Sequence, residues 1–235
     1  MEALEQLVTK LELAFSGRLV SVVLYGSAAS PGQSDRFSDL NILCVLKEIT
    51  PRELAAAEPV LHWWRQQNQP DPLLLSEEEV SNSADCFPIE FRDMQRARRV
   101  LYGPDPIAGL EVHDTDYRAQ VEHELRANLL RLRQQGAGLL SDPDALLALC
   151  AASESTFLVL ARHALLLAGI EPARDRRELV RQAGVVLHAD LSVLETLLDL
   201  REGRRPPALD AVDLFACYLV SIQEIVTFVD RRKHR

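Results

Sequence analysis

Two short runs of β-branched and apolar residues, Leu19 to Tyr25 (LVSVVLY) and Leu40 to Leu46 (LNILCVL), constrain this chain more than anything else in it. Neither alternates apolar with polar residues, so each reads as a strand covered on both faces. Such strands need helices above and below, and helical patterns flank the pair. Glu2 to Phe15 repeats apolar residues at Leu4, Leu7, Val8, Leu11 and Phe15. Thr50-Pro51-Arg52-Glu53 supplies an N-cap, a proline at the first helical position and a capping-box Glu for a helix to about Gln67. Pro72 to Leu75 and Pro88 to Arg92 (PIEFR) read as short third and fourth strands, with Ser76 and Glu79 as a second capping box. From Asp116 onward the pattern is helical, over Tyr117 to Gln135, Asp144 to Ala168, Arg174 to Ala183, Asp190 to Leu200 and Ala208 to Arg232. The fold class expected is α+β: a mixed sheet flanked by helices over residues 1–105, followed by an all-α helical bundle over 106–235.

Composition narrows the function classes. A chain of 235 residues with 47% hydrophobic and 26% charged residues has a core of ordinary size. Its formal charge of −9 argues against a surface that grips nucleic acid, which needs clustered cations. Lysine occurs only at Lys10, Lys47 and Lys233, so local phosphate clamps would be built from arginine. Cys44, Cys86, Cys150 and Cys217 stand far apart without a CxxC pair, which indicates neither a zinc site nor a disulfide framework. The N-terminus has no secretory-signal profile, and a cytoplasmic location is expected. Ala145 to Ile170 is long enough to span a membrane, but it carries Glu154, Arg162 and His163, which favours a buried bundle helix and no membrane partner. The apolar segments Phe157 to Leu167 and Leu214 to Val229 are expected to seat a homodimer.

Chemistry concentrates between the two buried strands. The first ends in Gly26-Ser27, where glycine lets the backbone approach a phosphate and the serine adds a hydroxyl donor. The second opens with Asp39-Leu40-Asn41, and residues two apart on a strand leave the same face. Phosphate donors on one strand end and oxygen ligands on the next suit magnesium-assisted nucleotidyl transfer. Each residue also has a plain structural reading: a strand-end turn for Gly26-Ser27, a loop brace for Asp39, a solvated edge position for Glu90.

The segment VVLYGSAASPGQSDRFSDLNILCVL resembles the Gly-Ser motif and acidic strand of the DNA polymerase β-like nucleotidyltransferase superfamily, in the style of its minimal and antibiotic-modifying members. Gly26, Ser27 and Asp39 match that motif, and Glu90 in PIEFR fits its third carboxylate. Asn41 departs from it, standing where the second metal-binding carboxylate belongs. The resemblance covers roughly residues 1–105 and implies transfer of a nucleoside monophosphate from a triphosphate, ATP first among them, to a hydroxyl acceptor with Mg2+. It assigns Gly26 and Ser27 to nucleotide binding and Asp39, Asn41 and Glu90 to the metal. Glu154 is the candidate base from the helical part, by analogy with the antibiotic-modifying relatives. Asparagine offers an oxygen but no charge. A second reading therefore stands beside the first: a catalytically degenerate module that senses nucleotide or binds a protein partner, as in toxin–antitoxin pairs. Arg181 and His188 share the Arg-x6-His spacing of some HEPN ribonucleases, a spacing that an Arg-rich chain also meets by chance.

Overall fold

The computed structural model describes residues 2–29, 40–204 and 209–234. The chain divides into two compact units, Met1–Asp116 and Tyr117–Arg235. In the first, β1 (Leu19–Tyr25), β2 (Asn41–Leu46), β3 (Leu73–Ser76) and β4 (Arg98–Tyr102) form a sheet in the order β3-β2-β1-β4. β1 runs antiparallel to both β2 and β4, whereas β2 and β3 are parallel. The sheet is mixed, and the fold class is α+β as the sequence patterns imply.

Strand alternation divides this core into two layers. Val22 and Leu24 of β1 join Ile42, Cys44 and Leu46 of β2 beneath α1 (Glu2–Phe15) and α2 (Pro51–Gln66). Val23, Leu43 and Val45 face the other way, onto Val80 of α3 (Glu77–Asn82), Phe91 and Met94 of α4 (Pro88–Arg96), and Ile107. Both expected capping boxes form, Thr50 with Glu53 and Ser76 with Glu79. Buried Glu53 also takes Arg18 at 2.8 Å, which ties α2 to the entry of β1.

One element changes identity. PIEFR is not a strand but the first turns of α4. Pro88 occupies a helix-start position, and the buried residues Pro88, Phe91 and Met94 recur every three positions, a helical repeat that a five-residue window cut short. The fourth strand is Arg98–Tyr102 instead, ended by Gly103 at φ +72. A Cβ on Gly103 would lie 2.0 Å from the Val20 carbonyl oxygen, so only glycine permits this close turn beside β1.

The second unit contains α5 (Asp114–Ala137, beginning three residues before the boundary), α6 (Pro143–Leu167), α7 (Arg176–Leu187), α8 (Ser192–Arg201) and α9 (Ala211–Asp230). α6 and α9 are each long and apolar enough to cross a membrane, yet here they pack on one another and α6 also contacts α7 and α8. The segments expected to seat a second copy are used largely inside the bundle: Phe157, Leu158, Leu160, Leu214, Phe215 and Ile222 are buried, while Val159 and Val220 stay exposed.

Polar groups inside this apolar packing are paired across helices. His163 Nδ1 meets the Tyr117 hydroxyl at 2.8 Å, and Ser153 Oγ meets that of Tyr218 at 3.1 Å. Burial, the largest cause, pushes the Tyr218 hydroxyl far above its ordinary range. Glu154 is fully buried, and its Oε2 accepts a bond from Arg201 Nη1 at 2.9 Å. Removing the guanidinium would strand a carboxylate in the core, which in buried pairs costs about 3–5 kcal/mol. Arg201 is 37% exposed, so Arg201→Ala is expected to lower unfolding free energy by a smaller amount, about 2 kcal/mol. Urea denaturation measures it. Adding Glu154→Met should recover part of the loss, and an Arg201→Ala variant as stable as the parent would remove the pair from any structural role.

Candidate functional site

The end of β1 gathers the polar chemistry of the first unit. Tyr25 is the last residue of the strand, opposite Asn41 of β2 on one side and Arg98 of β4 on the other. Gly26 then turns at φ +78, donates its N–H to the Ala97 carbonyl at 3.0 Å, and opens the short 3-10 turn Ser27–Ala29. That turn is closed by the Ala29 N–H on the Gly26 carbonyl at 3.0 Å. The positive φ alone favours glycine here. A Cβ on Gly26 would also approach Asn41 Nδ2 at 3.3 Å, so the side-chain amide of Asn41 lies against the Gly26 backbone.

Asp39 lies outside the described residues. Ser27 is placed by its backbone at the start of the 3-10 turn. Glu90 reaches the same neighbourhood from α4 rather than from a strand. Burial raises the Tyr25 hydroxyl above its ordinary range, and the negative charges of Glu90 and then Asp93 raise it further. Both carboxylates thus act on the residue that precedes Gly26. Glu90 Oε2 is shielded from water, and its place in the first turn of α4 also suits the positive end of a helix.

Asp93 was absent from the candidates because PIEFR read as a strand hides its partner. On a helix, Glu90 and Asp93 are three apart and share a side. Pro88 at a helix start, followed by apolar residues at 91 and 94, was the available signal. Arg98 holds this end of α4: its Nη1 donates to the Gln95 carbonyl at 3.0 Å while its Nε pairs with Asp105 Oδ2 at 2.9 Å. Arg92, also on α4, donates to the Val112 carbonyl at 2.9 Å and pairs with Asp114.

The second unit is built differently. Glu154 has one oxygen on Arg201, and its Oε1 is buried with no hydrogen-bond partner among the described residues. Arg181 is engaged by Glu195 at 3.0 Å and Glu178 at 3.6 Å, while His188 serves as the left-handed C-cap of α7.

Removing either charge should release Tyr25 downward. Glu90→Gln and Asp93→Asn should each move one tyrosine ionisation to lower pH in an ultraviolet titration, and Tyr25→Phe should delete that component. Unchanged titration in both carboxylate variants would separate α4 from the end of β1.

No protein-family model and no curated protein matches the chain. Among solved structures, it is similar to spectinomycin adenyltransferase AAD(9) from Enterococcus faecialis, crystallised with ATP and spectinomycin. That match has 13% identity, covers 98% of this chain and 99% of that one, and gives a TM-score of 0.57. A nucleotidyltransferase-like protein from Exiguobacterium sibiricum 255-15 matches at 14% identity, over 95% of this chain and 74% of that one, with a TM-score of 0.42. The toxin–antitoxin pair MntA-HpeT, in a mutant form, matches at 17% identity over 43% of this chain and 74% of that one, with a TM-score of 0.30. The chain has a nucleotidyltransferase fold.

Proposed function

We propose that the chain transfers a nucleoside monophosphate from a nucleoside triphosphate, ATP first among them, to a hydroxyl acceptor with Mg2+. The observation that carries the reading is the side chain of Asn41 lying against Gly26 at the end of β1, beside Tyr25, which feels Glu90 and Asp93. The crystallisation of AAD(9) with ATP and spectinomycin supports a triphosphate and a hydroxyl-bearing acceptor as partner classes.

In this proposal Gly26 lets a phosphate approach the backbone, and Ser27 adds its donors at the start of the turn. The acceptor oxygen bonds to the α-phosphorus, the bond to the β-phosphate oxygen breaks, and pyrophosphate leaves. The hydroxyl proton passes to a carboxylate, for which Glu90 and Glu154 are the candidates. Asp39, Asn41 and Glu90 would hold magnesium, and their donors are all oxygens, the set this ion prefers. When bound, the ion would neutralise phosphate charge.

A second reading, a degenerate module that binds nucleotide without turning it over, is favoured by one feature. Asn41 offers an oxygen to a metal ion but adds no charge. Transfer of label from ATP to an acceptor or to the protein supports the first reading; ATP binding without transfer supports the second.

Position 41 also gives a graded test. Asn41→Asp should bring back a charge where the metal needs one, at the expense of repulsion with neighbouring carboxylates when no cation is present. The variant should unfold more easily than the parent in chelator and gain more from magnesium with ATP. Tenfold tighter binding under saturating ligand would add about 1.4 kcal/mol of stability. Asp39→Asn should abolish that gain in either background. Equal magnesium-ATP affinity for parent and Asn41→Asp, by calorimetry, would remove position 41 from the metal.

A further inference from the structure

A sheet edge leaves a row of backbone N–H and C=O groups without strand partners, and proteins cover, blunt or pair such edges. Among the described residues β4 pairs with β1 alone, so its outer side is such an edge. Beside it, α1 and β4 enclose an open cleft of about 360 Å3 lined by Leu4, Glu5, Val8, Thr9, Arg99 and Leu101. Its walls are two alternate residues of the edge strand and successive turns of one helix face. That is the form of pocket which receives alternate side chains of an added strand.

The chemistry of the cleft selects the occupant. Arg99 and Glu5 carry opposite charges and, among the described residues, neither has an ion-pair partner; Val100, on the opposite side of β4, is 36% exposed. We propose that the cleft receives β4 of a second copy of this chain, paired antiparallel about a two-fold axis at Val100. In that register Val100 meets the partner subunit's Val100, and Arg99 lies beside the partner subunit's Leu101. Each cleft then takes one apolar side chain against Leu4 and Val8 and one guanidinium toward Glu5. A two-fold contact repeats every pairing twice, so the patch must complement itself, and one acid with one base and one apolar side chain meets that condition. The register also keeps Arg99 away from its own copy, which a parallel pairing would not.

Cross-linking in full-length protein tests this, with the exposed Cys86 and Cys217 first replaced by serine. Val100→Cys should form an inter-subunit disulfide on mild oxidation, because directly opposed residues on antiparallel strands bring Cβ atoms to about 4.5–5.5 Å, near disulfide range. Val220→Cys, on the exposed face of α9, should not. By sedimentation across concentration, Arg99→Glu should weaken the dimer about tenfold or more, the equivalent of ~1.4 kcal/mol. Glu5→Arg combined with Arg99→Glu should restore it, with circular dichroism confirming an unchanged fold. A monomer at every soluble concentration overturns the proposal, as does a dimer linked through Val220→Cys or indifferent to Arg99→Glu. None of these readouts depends on nucleotide transfer, so this proposal and the proposed activity fail separately.

Discussion

The hydrogen bond from the Gly26 N–H to the Ala97 carbonyl fixes the end of β1, and the polar chemistry of the first unit is arranged around it. Ala97 is also the C-cap of α4, donating its own N–H to the Asp93 carbonyl at 3.1 Å. One residue therefore links the turn after β1 to the helix that carries Glu90 and Asp93. Displacing Ala97 would move α4 and Gly26 together, so the turn after β1 and the carboxylates are set by one joint. The Gly26 N–H is engaged in this bond, so in the proposed function glycine would contribute to a phosphate only by close approach. Donation falls to the following residues of the turn, where a 3-10 start leaves N–H groups without acceptors in the turn itself.

Charge explains why asparagine is compatible with this arrangement. Glu90 and Asp93 already act on Tyr25 from one side of α4, and their negative potential raises the energy of a further anion nearby. Asn41 keeps an uncharged amide, its Nδ2 toward Gly26, without adding to that repulsion. A site with fewer fixed charges is more stable empty and holds a cation less tightly, so in the proposed site asparagine would weaken metal binding. The two proposed readings differ in where this balance falls once a triphosphate brings its own negative charge and ligands.

The sequence revealed elements whose signals are local and missed those whose signals are divided. β1 and β2 were legible because both faces are largely apolar, and α2 and α3 because their capping boxes are complete. α4 was hidden because Phe87 provides no side-chain cap, and Ile89 and Phe91 mimic strand alternation over five residues. β4 was hidden because Arg98 and Arg99 obscure the apolar character of Val100-Leu101-Tyr102, and the nearby Gly103-Pro104 reads as linker. Of the candidate site, the Gly26 turn and the inward-facing Asn41 followed from strand register. Glu90 was chosen for the wrong element yet reaches Tyr25, since a carboxylate at a helix start can meet a strand end as well as one on a neighbouring strand. Asp93 needed the helical period to be seen at all.

The helical unit shows why hydropathy alone misplaces such a chain. α6 is apolar enough for lipid over its length, yet Glu154 and His163 are fully buried within it. In lipid these groups would need partners from the same few helices. Here α8 supplies Arg201 for Glu154, and α5 supplies Tyr117 for His163. Each polar residue thus selects a neighbouring helix, while the surrounding leucines and valines would accept many packings. A carboxylate held this way is already an acceptor for one guanidinium, and protonating it during a reaction would weaken that tie between α6 and α8. Base catalysis by Glu154 would therefore be coupled to the bundle's own packing, whereas Glu90, in the first turn of a short helix, can change charge with less consequence for the fold.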